Sequence, residues 1–232
     1  MPSTRTFSSL FSTLGLLGVL AVGGCSDDEG EMGHDDEHDH DDEHDHDHEN
    51  ESEIITTVTL TFTPQGGGDA VVAAFSDPDG DGGMSGSSDP ITLQSGTTYD
   101  LSITFTNDLE STPEDITAEI EEEAEEHQVF ITGTAVSGPA GGDASSALVM
   151  HAYADMESRY GGNAEGDDLP VGLTNMITAA MAGTGTFSVR LQHLPELNGE
   201  PQKVAGLAEQ LAMGTQLPGD ADAAVDFDLT VQ

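Results

Sequence analysis

Basic side chains are almost missing from this chain: Lys and Arg number 4 against 45 Asp and Glu, a formal charge of −41. Removing residues 1–24 takes away Arg5 and no acid, leaving Arg159, Arg190 and Lys203 as the cationic side chains. Neutralising nucleic-acid phosphate needs clustered Lys and Arg, so that class of partner is excluded. Docking of the protein surface to anionic lipid is excluded for the same reason. Divalent cations are the favoured partners of such a surface. Cysteine is scarce too. A lone Cys25 makes no internal disulfide and no thiolate zinc cluster. The apolar run Leu14–Val22 is too short to cross a bilayer. A nucleophile elbow, a Walker loop and the dinucleotide glycine pattern are all absent, so no enzyme is expected.

What is present begins with a leader. Arg5, the apolar run and Gly23-Gly24 before Cys25 have the layout of a secretory signal over residues 1–24. Val22-Gly23-Gly24-Cys25 resembles a bacterial lipobox, which implies cleavage before Cys25 and lipidation of its sulfur and new amino group. Several acyl chains make a stable membrane anchor. Ser26 in the next position implies the outer membrane. Ser26-Asp27-Asp28-Glu29 resembles the acidic signal that sends some lipoproteins to the cell surface. The expected place is therefore the outer membrane, on its periplasmic or its outward face.

A histidine tract follows. The hexad His-Asp-Asp-Glu-His-Asp occurs at residues 34–39 and again at 40–45. His34, His38, His40, His44, His46 and His48 are six of the chain's nine histidines. Imidazole suits zinc, copper and nickel, and carboxylates add oxygen ligands and negative charge. A solvated spacer needs polarity but no histidine, so the six are candidate ligands for a divalent transition metal, zinc first. Two stretches, 34–38 and 40–44, match the H-x-x-E-H protease pattern, but the tract has no apolar face to pack a helix into a cleft. Residues 26–53 carry 16 acids and almost no apolar side chain before Ile54. Residues 25–53 are thus expected to form a disordered acidic tether.

Residues 54–232 are long enough for one domain with a real core. Val58, Leu60 and Phe62 alternate with threonines, the period of a half-buried strand. The same alternation marks Tyr99–Phe105, Phe187–Leu191 and Val225–Val231. Further strands are predicted at Val71–Phe75, Val129–Thr134, Ala147–Tyr153 and Val171–Thr178, with glycine-rich breaks between. The prediction is a mainly β protein, an Ig-like antiparallel β-sandwich with one short acidic helix. Thr112-Pro113-Glu114-Asp115 reads as the start of that helix, which is predicted to run to about His127. Ile116, Ile120 and Ala124 form its apolar stripe. A weaker helix is predicted within Pro201–Met213.

Two more places carry chemistry. Asp77-Pro-Asp79-Gly-Asp81-Gly82 opens like a calcium loop. Its twelfth position is Ser88 instead of Glu, so an EF-hand is excluded and an oxygen-lined calcium loop of Asp77, Asp79 and Asp81 is retained. On the helix, Glu119/Glu123, Glu121/Glu125 and Glu122/Glu126 are like charges at i, i+4, each costing roughly 0.2–0.5 kcal/mol. A cation would relieve them, which makes Glu123 and His127 further metal candidates. His151 and His193 read as satisfied core or rim histidines.

Phe75–Gly83, Pro113–Gln128, Val171-Gly-Leu173 and the closing Phe227–Gln232 resemble a family of bacterial lipoproteins common in Bacteroidetes, loosely labelled type 1 periplasmic-binding-fold proteins. The resemblance covers roughly residues 54–232 and implies a surface or periplasmic lipoprotein, with no activity or site attached. That fold label needs alternating βαβ units, whereas the residues here read as β. The leading expectation is a non-enzymatic outer-membrane lipoprotein that binds or buffers divalent metal, with an outer-membrane receptor or metal transporter as partner. The alternative is an adhesion or structural module on a solvated acidic stalk.

Overall fold

Strands form where threonine and apolar residues alternate, and that alternation buries one face of each. A computed structural model describes residues 53–80, 86–109, 111–142, 145–161 and 166–232. In chain order its elements are β1 (Thr57–Pro64), β2 (Val71–Ser76), β3 (Ser87–Ser88), β4 (Ile91–Leu93), β5 (Thr98–Thr106), α1 (Ile116–Glu122), β6 (His127–Thr132), β7 (Val136–Ser137) and β8 (Val149–Tyr153). A 3-10 turn at Glu157–Arg159, β9 (Thr174–Ala179), β10 (Gly183–His193), α2 (Leu207–Ala212) and β11 (Asp220–Val231) follow. One sheet has the order β3-β2-β1-β5-β9-β8-β7, the other β4-β11-β10-β6. Pairing is antiparallel except for β4 with β11 and β7 with β8, which are parallel. The protein is a mainly β sandwich, as the alternation predicts.

The core lies between the sheets. Leu60 and Phe62 from β1, Ile103 and Phe105 from β5, Phe187 and Val189 from β10, and Phe227 and Leu229 from β11 all share it. Phe62 and Phe187 join the two sheets edge to face, with ring centroids 5.8 Å apart. Such contacts contribute beyond the area they bury. Helix α1 closes one end of the sandwich by burying Ile116 and Ile120. A smaller cluster of Phe130, Leu194, Leu207 and Leu217 packs α2 on the outer face of the second sheet.

Several boundaries differ from the sequence prediction. Helix α1 is short: it begins at Ile116 and ends at Glu122, so neither Thr112 nor Pro113 starts it and His127 is not on it. The chain before it is held by an Asn107–Glu114 bridge instead. Of the three like-charge pairs, Glu121/Glu125 and Glu122/Glu126 therefore straddle the helix end. Val171–Leu173 is a loop, since Gly172 has φ +87° and Asp155 accepts the Gly172 and Thr174 amides. The weaker helix is confined to Leu207–Ala212. The short strands β3, β4 and β7 carry no alternation long enough to read.

Candidate metal centre

The core-facing stripes of two neighbouring strands end in histidine. Val129 and Ile131 of β6, and Phe187, Val189 and Leu191 of β10, point into the core. Stepping two residues further along each strand reaches His127 and His193. The strands pair with His127 directly opposite His193, and the rings stack 4.6 Å apart with 6° between their planes. His127 is fully buried and His193 is 7% exposed.

Asp222 reaches the same place through a bulge. Leu191 faces Ala223 and Gln192 faces Ala221, so Asp222 is the extra residue of β11. A bulge re-aims a side chain that regular pleating would send elsewhere. The Asp222 side chain is 0% exposed, and its Oδ2 lies 3.9 Å from His127 Nε2. Gly219 makes this approach possible. Its φ is +67°, and a Cβ there would overlap the His193 carbonyl oxygen, so only glycine lets β11 begin this close to His193.

Two more carboxylates come from the turn between α1 and β6. Glu123, the C-cap of α1, places Oε2 3.9 Å from His127 Nδ1. Glu126 places Oε2 3.7 Å from His193 Nε2. One ligand atom each from Glu123, His127 and His193 lies within 4.8 Å of the other two. Lys203 pins this turn: its Nζ donates to the Ala124 carbonyl at 2.6 Å and pairs with Glu157 at 2.8 Å. Glu126 also lines an adjoining cavity of about 330 Å³.

The protonation pattern is set by the backbone. His127 Nδ1 lies 3.3 Å from the Glu123 carbonyl oxygen, which can only accept, so the proton sits on Nδ1 and the Nε2 lone pair faces Asp222. His127 Nε2 and both Asp222 carboxylate oxygens are buried without a hydrogen-bond partner. Buried polar atoms are nearly always paired, and an unpaired one costs roughly 1–3 kcal/mol. Burial, with the His193 ring adding to it, holds His127 down to about 4. Burial pushes Asp222 up to about 6, with Asp220 adding to the rise. A lone pair and a carboxylate oxygen thus face each other across 3.9 Å. A zinc ion about 2.0–2.2 Å from both would need its ligand atoms ~3.4 Å apart at the tetrahedral angle. The observed 3.9 Å closes with a shift of a few tenths of an ångström. His127 already makes the hydrogen bond from its far nitrogen that orients a metal-bound imidazole.

The metal-free domain should carry the cost of this arrangement in its pH profile. Asp222 has its folded pKa raised from 3.8 to about 6. Its contribution to stability is therefore complete below about pH 4 and lost as pH rises through 6. At 1.36 kcal/mol per unit the loss is about 3 kcal/mol. His127 works in the other direction, losing stability as pH falls from 6.5 towards 4. The variant Asp222→Asn removes the first component alone. In chelator, the stability difference between wild type and Asp222→Asn, from urea unfolding at pH 4 and pH 7.5, is expected to move by about 2–3 kcal/mol against wild type. A difference that does not change with pH contradicts this reading.

The other predicted positions fall as follows. Cys25, His34, His38, His40, His44, His46, His48 and Asp81 lie outside the described residues. Asp77 and Asp79 follow β2, the first 1% exposed and the second on the surface. Glu123 and His127 are brought together, but as a helix cap and the first residue of a strand. His151 Nε2 donates to Asn175 Oδ1 at 2.9 Å, and its Nδ1 is unpartnered. His193 is buried at the end of β10, stacked on His127 and 3.7 Å from Glu126. Asp222 was not expected at all. Compared with family models, curated proteins and solved structures, the chain has no match in any of the three. The lipoprotein likeness therefore rests on the segments quoted above.

Proposed function

We propose that this chain is an outer-membrane lipoprotein, anchored through Cys25, that captures divalent transition metal, zinc first. His127 Nε2, His193 and Asp222 supply the folded ligands, and the six tract histidines are a separate source of imidazole for the same class of metal. The observation that carries this reading is the orphaned pair: a buried imidazole lone pair against a buried, unpartnered carboxylate. A purely structural or adhesive module gains nothing from that pair and bears its full desolvation cost. A cation removes the cost. Two imidazoles and a carboxylate are the donor set that zinc takes in three-ligand sites.

Equilibrium dialysis against zinc at pH 7.5 tests the centre apart from the tract. With all six tract histidines changed to Asn, the chain is expected to retain one tightly bound zinc. Retention of none would leave the folded centre without a role. The anchor has its own test. Expression with radiolabelled palmitate in a lipoprotein-processing bacterium is expected to label wild type and leave Cys25→Ser unlabelled. Equal labelling of the two would contradict lipidation at Cys25.

A further inference from the structure

We infer that Glu126 is the fourth ligand of the centre and the one that opens, so that metal enters and leaves through the cavity Glu126 lines. The inference rests on the metal-binding reading above and adds to it the closing ligand and the path. His127, His193 and Asp222 supply three protein ligands, and a tetrahedral zinc site takes a fourth, a side chain or a water. Glu126 stands where that ligand is needed. Its Oε2 lies 3.7 Å from His193 Nε2, as Asp222 Oδ2 lies 3.9 Å from His127 Nε2. Each of the stacked imidazoles has one carboxylate oxygen at its Nε2, close to the ~3.4 Å that separates two ligand atoms on one zinc ion. Glu123 also stands beside the pair, but it faces His127 Nδ1, the nitrogen that holds the proton.

Exposure separates Glu126 from the other three. The His127 and Asp222 side chains are 1% and 0% exposed and that of His193 is 9%, whereas the Glu126 side chain is 37% exposed. Of the four, Glu126 is the one that meets solvent, and it does so at the wall of the cavity of about 330 Å³. Its backbone is fixed. Glu126 NH donates to the Glu123 carbonyl at 2.9 Å, and the Glu126 carbonyl accepts from Leu194 NH at 2.6 Å. Movement is left to the side chain, and exposed side chains change rotamer within nanoseconds. Glu125, Glu157 and Asp167 line the same cavity, and Lys203, the cation among the lining residues, is committed to Glu157 at 2.8 Å. A cleft lined by one sign of charge concentrates the opposite ion, so dications collect at the mouth that Glu126 closes.

Cobalt and imidazole are the probes, because Co2+ takes the place of zinc and its visible absorption reports a change of ligand. The full chain, with its six tract histidines changed to Asn, is loaded with one Co2+ and titrated with imidazole at neutral pH. The same is done for that chain carrying Glu126→Ala, and for Glu196→Ala, which removes the same charge from the same cavity. Cobalt is counted throughout, and melting in chelator verifies folding. The spectra of the parent chain and of Glu196→Ala are expected to stay unchanged. Glu126→Ala is expected to keep its cobalt, release it to excess chelator about tenfold faster or more, and shift its spectrum to saturation as imidazole takes the vacated position. An imidazole-dependent shift in the parent chain overturns the inference whether or not the variant folds, because the fourth position is then already open. Glu126→Ala that holds cobalt without taking imidazole overturns it too, as does an equal shift in Glu196→Ala. Cobalt retention that is indifferent to His127→Asn and His193→Asn defeats the metal-binding reading itself.

Discussion

Changing His127 and His193 together to Asn is expected to weaken zinc binding by the folded domain about 100-fold or more. Loss of an outer-shell partner alone costs 10–100-fold in metal affinity, and these two are direct ligands. The measurement is a competition titration against a zinc chelator, in the background where the six tract histidines are already Asn. Asn preserves some polarity and most of the ring's near-backbone volume, so the sandwich survives: Val129, Leu191 and the rest of the core stripe are untouched. The affinity should fall as pH drops below about 6. Protons then compete with the metal at Asp222, raised by burial to about 6, while His127 stays neutral down to about 4. Unchanged affinity in the double variant would mean that zinc binds elsewhere.

Zinc is expected to raise the melting temperature by about 8–16 °C. A ligand at 1,000 times its Kd adds about 4 kcal/mol to the folded state. One kcal/mol moves the midpoint by roughly 2–4 °C in a domain of this size. The gain is large because the metal-free domain buries an unpartnered carboxylate and an unpartnered imidazole nitrogen. Asp222→Asn should lose most of the zinc-dependent rise. A calorimetric scan with zinc and with chelator, for both chains at pH 7.5, decides it. A rise of the same size in Asp222→Asn would remove Asp222 from the ligand set.

Most of the sandwich is legible in the residues because strand periodicity is local. The stripes of β1, β5, β10 and β11 can be read two residues at a time. The centre is only half legible. Glu123 and His127 are rightly paired by their spacing, yet the helix that suggests it stops at Glu122. Helix length here is decided by packing at the sandwich end and not by the run of glutamates. His193 had a readable signal: it continues the apolar sequence Phe187, Val189, Leu191 on the core face. What brings it beside His127 is the register between the two strands, and register between strands some sixty residues apart is non-local. Asp222 was unreadable. Counting back by twos from Val225 puts Ala223 and Ala221 on the core face and Asp222 outside. The bulge at Leu191/Gln192 reverses that order, and nothing in the β11 sequence announces a bulge except Gly219 before it.

The account stands most directly on where a metal sits. Crystals of the chain grown with zinc and measured at the zinc absorption edge locate it without inference. The expected result is an anomalous peak about 2.0–2.2 Å from His127 Nε2 and from an Asp222 carboxylate oxygen, with His193 in the same shell. Peaks confined to exposed carboxylates, with His127 and Asp222 still facing each other across 3.9 Å, would contradict it.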